Sequence, residues 1–146
     1  MRALLAVMFG ALLLAACSKP TPPVGRWEGT YESDGTFIAA RLELAPHAQV
    51  RISAPDVTDP SITNEPDRAA MRQNMADRLA GAWGEVEARP MDFDGTTFRK
   101  PNGFAPQIEW NSASNMMTLY VYLGARPALH IPLHPVSEFS ADPWPH

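Results

Sequence analysis

The sequence is poor in cysteine, in basic residues and in long apolar runs. Its single cysteine excludes an internal disulfide framework, so a domain of this size must fold on its core alone. The 12 basic residues are outnumbered by 16 acidic ones, for a formal charge of −4, which argues against nucleic acid as a partner. The apolar run from Ala3 to Leu14 is shorter than the about 20 residues that span a bilayer.

Catalytic signatures are also missing. The chain has no Gly-x-Ser-x-Gly elbow and no phosphate-binding glycine loop, and no pair of acids stands out. His130 and His134 have the spacing of a helical metal pair, but Pro132 and Pro135 prevent a helix there, and in a strand the two lie about 13 Å apart. We therefore predict a protein that is not an enzyme, with no catalytic residue, no metal site and no cofactor.

The first 17 residues have the organisation of a secretory leader. Met1 and Arg2 form a short positive segment, and the apolar run after them closes with Leu14-Ala15-Ala16-Cys17. This ending resembles the lipobox of bacterial lipoproteins, in which signal peptidase II cuts before the cysteine and the thiol then carries diacylglycerol. The resemblance implies cleavage between Ala16 and Cys17 and lipid attachment on Cys17. The alternatives are cleavage by the ordinary secretory peptidase and a free thiol.

The residues after the cysteine predict where the domain is held. By the same resemblance, Ser18 stands where an aspartate would favour the inner membrane, which implies a lipid-anchored protein of the outer membrane that faces the periplasm. Two or more acyl chains give a stable anchor. Prolines 20, 22 and 23 stiffen a tether of roughly 20 Å, so the domain is expected close to the membrane surface.

The chain divides into four parts. These are a leader (1–16), a lipidated cysteine with its proline-rich tether (17–25), a β-rich domain (26–136) and a C-terminal tail (137–146). Removal of the leader with Arg2 leaves 11 basic residues against 16 acidic ones, a formal charge of about −5. The tail contains Trp144 and is expected to dock loosely.

Alternating apolar residues predict eight short strands. Three precede a loop at 54–64, and a helix over about 65–80 follows, with Met71, Met75 and Leu79 on one face and Gly81 or Gly84 at its end. Strands then follow over 85–93, 96–100, 107–110, 116–123 and 128–133. Pro132 and Pro135 predict that the last strand is an edge or is paired on one side only. The fold class is mainly β: an antiparallel meander that forms a closed or partly open barrel, with the helix between strands three and four.

The start of the first strand adds a family resemblance. Gly25-Arg26-Trp27 resembles the Gly-x-Trp motif of lipocalins, whose tryptophan plugs the closed end of the barrel. The resemblance implies a lipocalin-like barrel with Trp27 and Tyr31 as barrel-end aromatics. The alternative is that both are core aromatics of an ordinary small sheet protein.

One basic and aromatic cluster stands out in this acidic chain, at residues 98–104. Phe98, Arg99, Lys100 and Phe104 form a candidate contact loop for a polyanion, a lipid headgroup or a protein partner, since arginine grips carboxylate or phosphate with paired bonds. The alternative is a solvated hairpin end with two core phenylalanines.

Two functions fit these features. The first is a non-enzymatic, membrane-anchored lipoprotein that binds an apolar or amphipathic small molecule or supports envelope assembly. The second is a protein-interaction module, such as an inhibitor or an accessory subunit of an envelope complex. An open cavity favours the first function, and a filled core favours the second.

Overall fold

The computed structural model describes residues 18–146. Cys17 and the rest of the lipobox lie outside the described residues, so cleavage and lipid attachment there stay predictions. Within residues 18–146, no helix is long and apolar enough to cross a membrane.

The described chain contains ten strands and one helix. The strands are β1 (Gly25–Ser33), β2 (Thr36–Ala45), β3 (Gln49–Ser53), β4 (Asp56–Thr58), β5 (Arg89–Pro90), β6 (Asp92–Phe93), β7 (Thr97–Arg99), β8 (Pro106–Asn111), β9 (Met116–Val121) and β10 (Leu129–Val136). Helix α1 (Glu65–Trp83) stands between β4 and β5. The predicted antiparallel β fold with one inserted helix is confirmed. Strand β4 lies within the predicted loop at 54–64, and the strand predicted at 85–93 is two short pieces.

The strands form a nearly closed barrel in the order β5-β3-β2-β1-β10-β9-β8-β7-β6, with β4 beside β2. The path begins and ends on one segment, residues 89–93. Its first half pairs with β3, its second half pairs with β7, and the Met91 N–H between them donates to the Ala48 carbonyl at 3.0 Å. The two edges of the sheet therefore meet at a single short stretch of chain.

Of the two predictions for the last strand, an edge position is wrong and pairing on one side only is confirmed. Strand β10 is central, but it pairs with β9 over Leu129 to Leu133 and with β1 only beyond that, over His134 to Val136. Pro132 is paired with Thr118 of β9 and with no residue of β1, so its missing N–H does not interrupt the pairing of β10 with β1. Beside it, Gly29 allows β1 to come so close that a Cβ on this residue would lie 2.2 Å from the Pro132 carbonyl oxygen.

Side chains fill the interior of the barrel. The inward residues of β2, Ile38, Ala40, Leu42 and Leu44, meet Trp27 and residues from every long strand across the barrel, and nearly all are fully buried. The far wall contributes Phe98, Ile108, Met117, Leu119, Ile131 and Leu133. These buried side chains occupy the interior, so the barrel has a filled core.

The outer face of β2 is covered as well, by α1. Asn64 caps the helix by accepting from the Asp67 N–H at 2.9 Å, Pro66 stands in the first turn, and Gly84 follows the last residue. Met75 and Leu79 are buried against Phe37 and Ala39 of β2. The predicted helical face is confirmed, and it explains why β2 is apolar on both faces.

The C-terminal tail is docked on the same outer face, not loosely held. Trp144 is buried in the cluster formed by α1 and β2, and its Nε1 donates to the Arg72 carbonyl at 2.9 Å. Ser140 donates to Glu28 through both its N–H and its hydroxyl. Phe139 packs edge-on to Trp83, with ring centroids 4.9 Å apart. The tail and the helix together form a second layer outside the barrel.

Candidate functional site

The two ends of the barrel carry different loops. We call the end with the turns at 46–48, 94–96 and 112–115 the near end, because β1 begins there and the tether enters there. A Cβ on Gly95 would lie 3.5 Å from Pro20 of the tether. We call the opposite end, with the turn at 34–35 and the loops at 100–105 and 122–128, the far end. Strand β1 separates the two ends by about 30 Å at 3.3 Å per residue.

Trp27 and Tyr31 lie on one face of β1 and are separated along the barrel. Trp27 is fully buried near the near end, and its Nε1 donates to the Asn115 carbonyl at 2.7 Å. The Asn115 side chain also accepts from the Trp110 indole at 3.1 Å, and its backbone has a φ of 54°. Tyr31 is half-buried against the core at the other end of the barrel. Trp27 belongs to the core cluster and Tyr31 packs against it, so their role as barrel-end aromatics stays a prediction.

The predicted contact loop separates into a buried part and an exposed part. Phe98 does not belong to the contact surface, because β7 turns it inward: it is fully buried and stacks on Phe93 with ring centroids 4.5 Å apart. Phe104, in contrast, is 96% exposed at the far end. One of the two phenylalanines is therefore a core residue, and the other projects into solvent.

Phe104 is presented by a well-bonded loop. The Gly103 N–H donates to the Lys100 carbonyl at 2.8 Å and closes a turn through Asn102, whose φ is 60°. Arg99 holds the other side, since its Nε donates to the Phe104 carbonyl at 3.3 Å. The loop is therefore bonded at both of its flanks.

The charge of Arg99 is locally balanced, and that of Lys100 is not. Arg99 Nη1 lies 2.7 Å from Asp94 Oδ2. The backbone N–H groups of Thr96 and Thr97, with Arg99, hold the pKa of the Asp94 carboxyl well below its usual range. Lys100 is exposed and forms no ion pair within residues 18–146. The loop therefore presents one uncompensated positive charge next to Phe104.

A second exposed aromatic lies at the same end. Tyr122 is 44% exposed, and its hydroxyl donates to the Pro106 carbonyl at 2.6 Å, two residues beyond Phe104. We call Lys100, Phe104 and Tyr122 the far-end surface. Exposed aromatics beside a positive charge are typical of contact residues at protein interfaces.

The far-end surface does not include the histidines of β10 or the acids Asp59 and Glu65. His130 and His134 are both exposed on the outside of β10, and the His130 ring lies 4.5 Å from that of Tyr120. Asp59 accepts from Ser61, and Glu65 pairs with Arg72. Among residues 18–146, no group of three or more histidine, cysteine or acidic side chains is placed to hold a metal ion.

The sequence did not single out the ionic contacts that position the helix. Glu32 of β1 accepts from Arg72 at 2.6 Å and from Arg68 at 2.6 Å. Arg51 of β3 donates to the Trp83 and Val86 carbonyls at the other end of α1, which has no basic residue in its last turn. The sequence shows only that charged residues alternate along these strands. It does not show which residues they pair with, because the partners are 32 to 40 residues away in the chain.

Comparison of the chain with protein-family models, with curated proteins and with solved structures finds no match.

Proposed function

We propose that this protein is a lipid-anchored interaction module of the cell envelope, whose far-end surface contacts a protein partner. The observation that carries the proposal is Phe104, a large apolar side chain that is 96% exposed on a loop bonded at both flanks. A ring that is so fully exposed does not stabilise the fold. Because the loop already holds Phe104 in place, less conformational entropy is lost when this side chain binds a partner.

The direction of the tether supports a protein partner over a lipid headgroup. The tether meets the barrel at the near end, where Pro20 lies beside Gly95. The far-end surface is about 30 Å away along β1, so an anchor on Cys17 would turn it away from the membrane. Lys100 adds a positive charge, which favours an acidic rim around the apolar contact on the partner.

The filled interior supports this choice over carriage of an apolar molecule. Nine large side chains of the barrel core are fully buried, among them Trp27, Phe98, Met117 and Leu133. A ligand inside the barrel would have to displace several of them, at a cost of a few kcal/mol for each apolar side chain moved into water.

Site-specific photocrosslinking in the native envelope tests the proposal. A crosslinking residue at Ala105, exposed beside Phe104, is expected to give a discrete adduct that disappears when Phe104→Ser is added. The matched control places the same residue at Ala80, exposed on α1, where no such adduct is expected. An Ala105 adduct that persists in Phe104→Ser, or no adduct beyond that of the Ala80 control, would contradict the proposal.

A further inference from the structure

A small pocket of about 160 Å³ opens at the far end of the barrel. The β1–β2 hairpin turn and the loop after β9 form its walls, with Tyr31, Asp34, Thr36, Thr58, Arg126 and Leu129 among the lining residues. The far-end surface described above does not include any of these side chains, so the pocket is a separate feature of the same end.

Two opposite charges line this pocket without meeting. Asp34 accepts from the Ser33 hydroxyl at 3.3 Å, and neither Asp34 nor Arg126 forms an ion pair within 4.0 Å in the described part of the chain. A ligand that carries both a positive and a negative charge could pair with Asp34 and Arg126 at the same time. A ligand with a single charge would satisfy only one wall.

The remaining lining is suited to a compact polar molecule. Thr36 and Thr58 line the pocket and their hydroxyls share a hydrogen bond of 3.0 Å, and Tyr31 and Leu129 are among the larger apolar and aromatic lining residues. The volume is well below the about 300 Å³ at which pockets for drug-sized ligands begin. Ile38, the cross-strand neighbour of Tyr31, is fully buried in the core.

We propose that the far-end pocket binds a small zwitterion of amino-acid size. Its carboxylate pairs with the Arg126 guanidinium, which can donate two parallel hydrogen bonds, and its ammonium pairs with the Asp34 carboxylate. Binding needs no displacement of core side chains and does not depend on Phe104.

Ligand-observed NMR titration of the full-length protein in detergent micelles tests this proposal. The probes are glycine, β-alanine and 4-aminobutyrate, which carry the same two charges on progressively longer linkers. At least one is expected to bind saturably with a Kd on the order of 1 mM, as suits so few contacting atoms. N-acetylglycine and glycine methyl ester each lack one charge, and both are expected to bind at least roughly tenfold more weakly than the matching zwitterion.

Charge-removing variants locate the site. Arg126→Gln and Asp34→Asn are each expected to weaken binding of the best zwitterion by roughly tenfold or more. Asparagine tolerates the left-handed backbone at position 34, where φ is 49°, so the turn is retained. Arg78→Gln, an exposed position on α1, is the matched control and should leave binding unchanged.

Three results would each overturn the proposal. They are no saturable binding by any of the three zwitterions, equal binding of the singly charged analogues, and equal binding by the Arg126→Gln, Asp34→Asn and Arg78→Gln variants. The analogue comparison uses the unmodified chain, so it decides the question even if a variant fails to fold.

Discussion

Glu28 of β1 and Ser140 of the tail are joined by two hydrogen bonds, from the Ser140 N–H at 2.9 Å and from its hydroxyl at 2.5 Å. Glu28 is only 2% exposed, and Arg41 beside it, 8% exposed, donates to the Ser140 carbonyl at 2.9 Å. A buried carboxylate and a buried guanidinium thus share one tail residue. Because buried charges are costly without hydrogen-bond partners, the tail is an integral part of the fold.

Ser140→Ala should therefore destabilise the protein although serine is a small polar residue near the C-terminus. The variant leaves one Glu28 oxygen without its donor, at an expected cost of about 1–3 kcal/mol in the free energy of unfolding by urea. Ser137→Ala is the matched control, because only the backbone carbonyl of Ser137 is used, by Arg26. Equal losses in the two variants would show that the hydroxyl contact contributes nothing.

Arg51→Lys should weaken the attachment of the helix end. The Arg51 guanidinium donates to two carbonyls, of Trp83 at 2.8 Å and of Val86 at 2.9 Å, and lies 4.3 Å from the Trp83 ring. A lysine ammonium cannot reproduce this planar arrangement, so we expect a loss of about 1–3 kcal/mol in thermal unfolding. Exposed Arg78→Lys should change stability by less than about 0.5 kcal/mol. If Arg51→Lys is as stable as Arg78→Lys, the Arg51 guanidinium does not stabilise the attachment of the helix end.

Two glycine substitutions should have opposite effects. Gly29→Ala places a Cβ against the Pro132 carbonyl and within 2.8 Å of Leu133 Cδ2, so β1 and β10 must separate, at a cost of about 1–3 kcal/mol or more. Gly81→Ala in the helix meets no atom within 4 Å and should stabilise by about 0.5–1 kcal/mol. Urea unfolding of the pair checks both signs, and a tolerated Gly29→Ala would mean that the two strands can move apart freely.

The stability of the fold should decrease in mild acid. Hydrogen bonds from Arg72, then Arg68, hold the pKa of Glu32 below its ordinary value of 4.5, and Arg26 and Arg51 do the same for Glu43. A folded-state pKa below the unfolded one means that the stabilisation is complete above about pH 4.5 and is lost as the pH falls through the lower folded values.

The unfolding midpoint should accordingly be flat from about pH 7 to about pH 5 and fall below pH 4.5. Glu32→Gln should reduce the slope in the acid range, because it removes one of the carboxyl groups whose pKa is lowered by the fold. Exposed Glu87→Gln serves as the control for charge alone. If the unfolding midpoint falls equally steeply below pH 4.5 in the unmodified chain, in Glu32→Gln and in Glu87→Gln, the loss of stability in acid comes from groups other than Glu32.

The two phenylalanines of the 98–104 segment should differ sharply. Phe98→Ala removes a fully buried ring from the core and is expected to cost about 3–5 kcal/mol. Phe104→Ala removes an exposed ring and should change the free energy of unfolding by less than about 0.5 kcal/mol. Chemical denaturation of both variants checks the contrast, which separates a structural residue from a contact residue.

Local patterns in the sequence predicted most of the secondary structure. The alternation of apolar residues indicated strands that the structure confirms, such as β9, and the Met71, Met75 and Leu79 spacing indicated the face of α1. These signals depend on neighbours within one strand or one helical turn. Strand β4 was missed because it has only three residues, and their pairing with β2 is not visible locally.

The candidate site was predictable only in part. A basic and aromatic cluster was evident from residues 98–104, but its sequence does not say that Phe98 turns inward while Phe104 turns outward. The strand register across β6, β7 and β8 decides this. The pocket between Asp34 and Arg126 was not predicted, because its charged walls are 92 positions apart in the chain.

By itself, the sequence determined the class of fold, the order of most elements and the lipobox-like start, because each depends on short-range periodicity or on a contiguous motif. Only the tertiary structure decided that the barrel is filled, that the tail is bound through Glu28 and Arg41, and that Phe104 lies at the end opposite the tether. These properties depend on contacts between residues far apart in the chain, and the free energy of such contacts comes from packing and desolvation that no local pattern records.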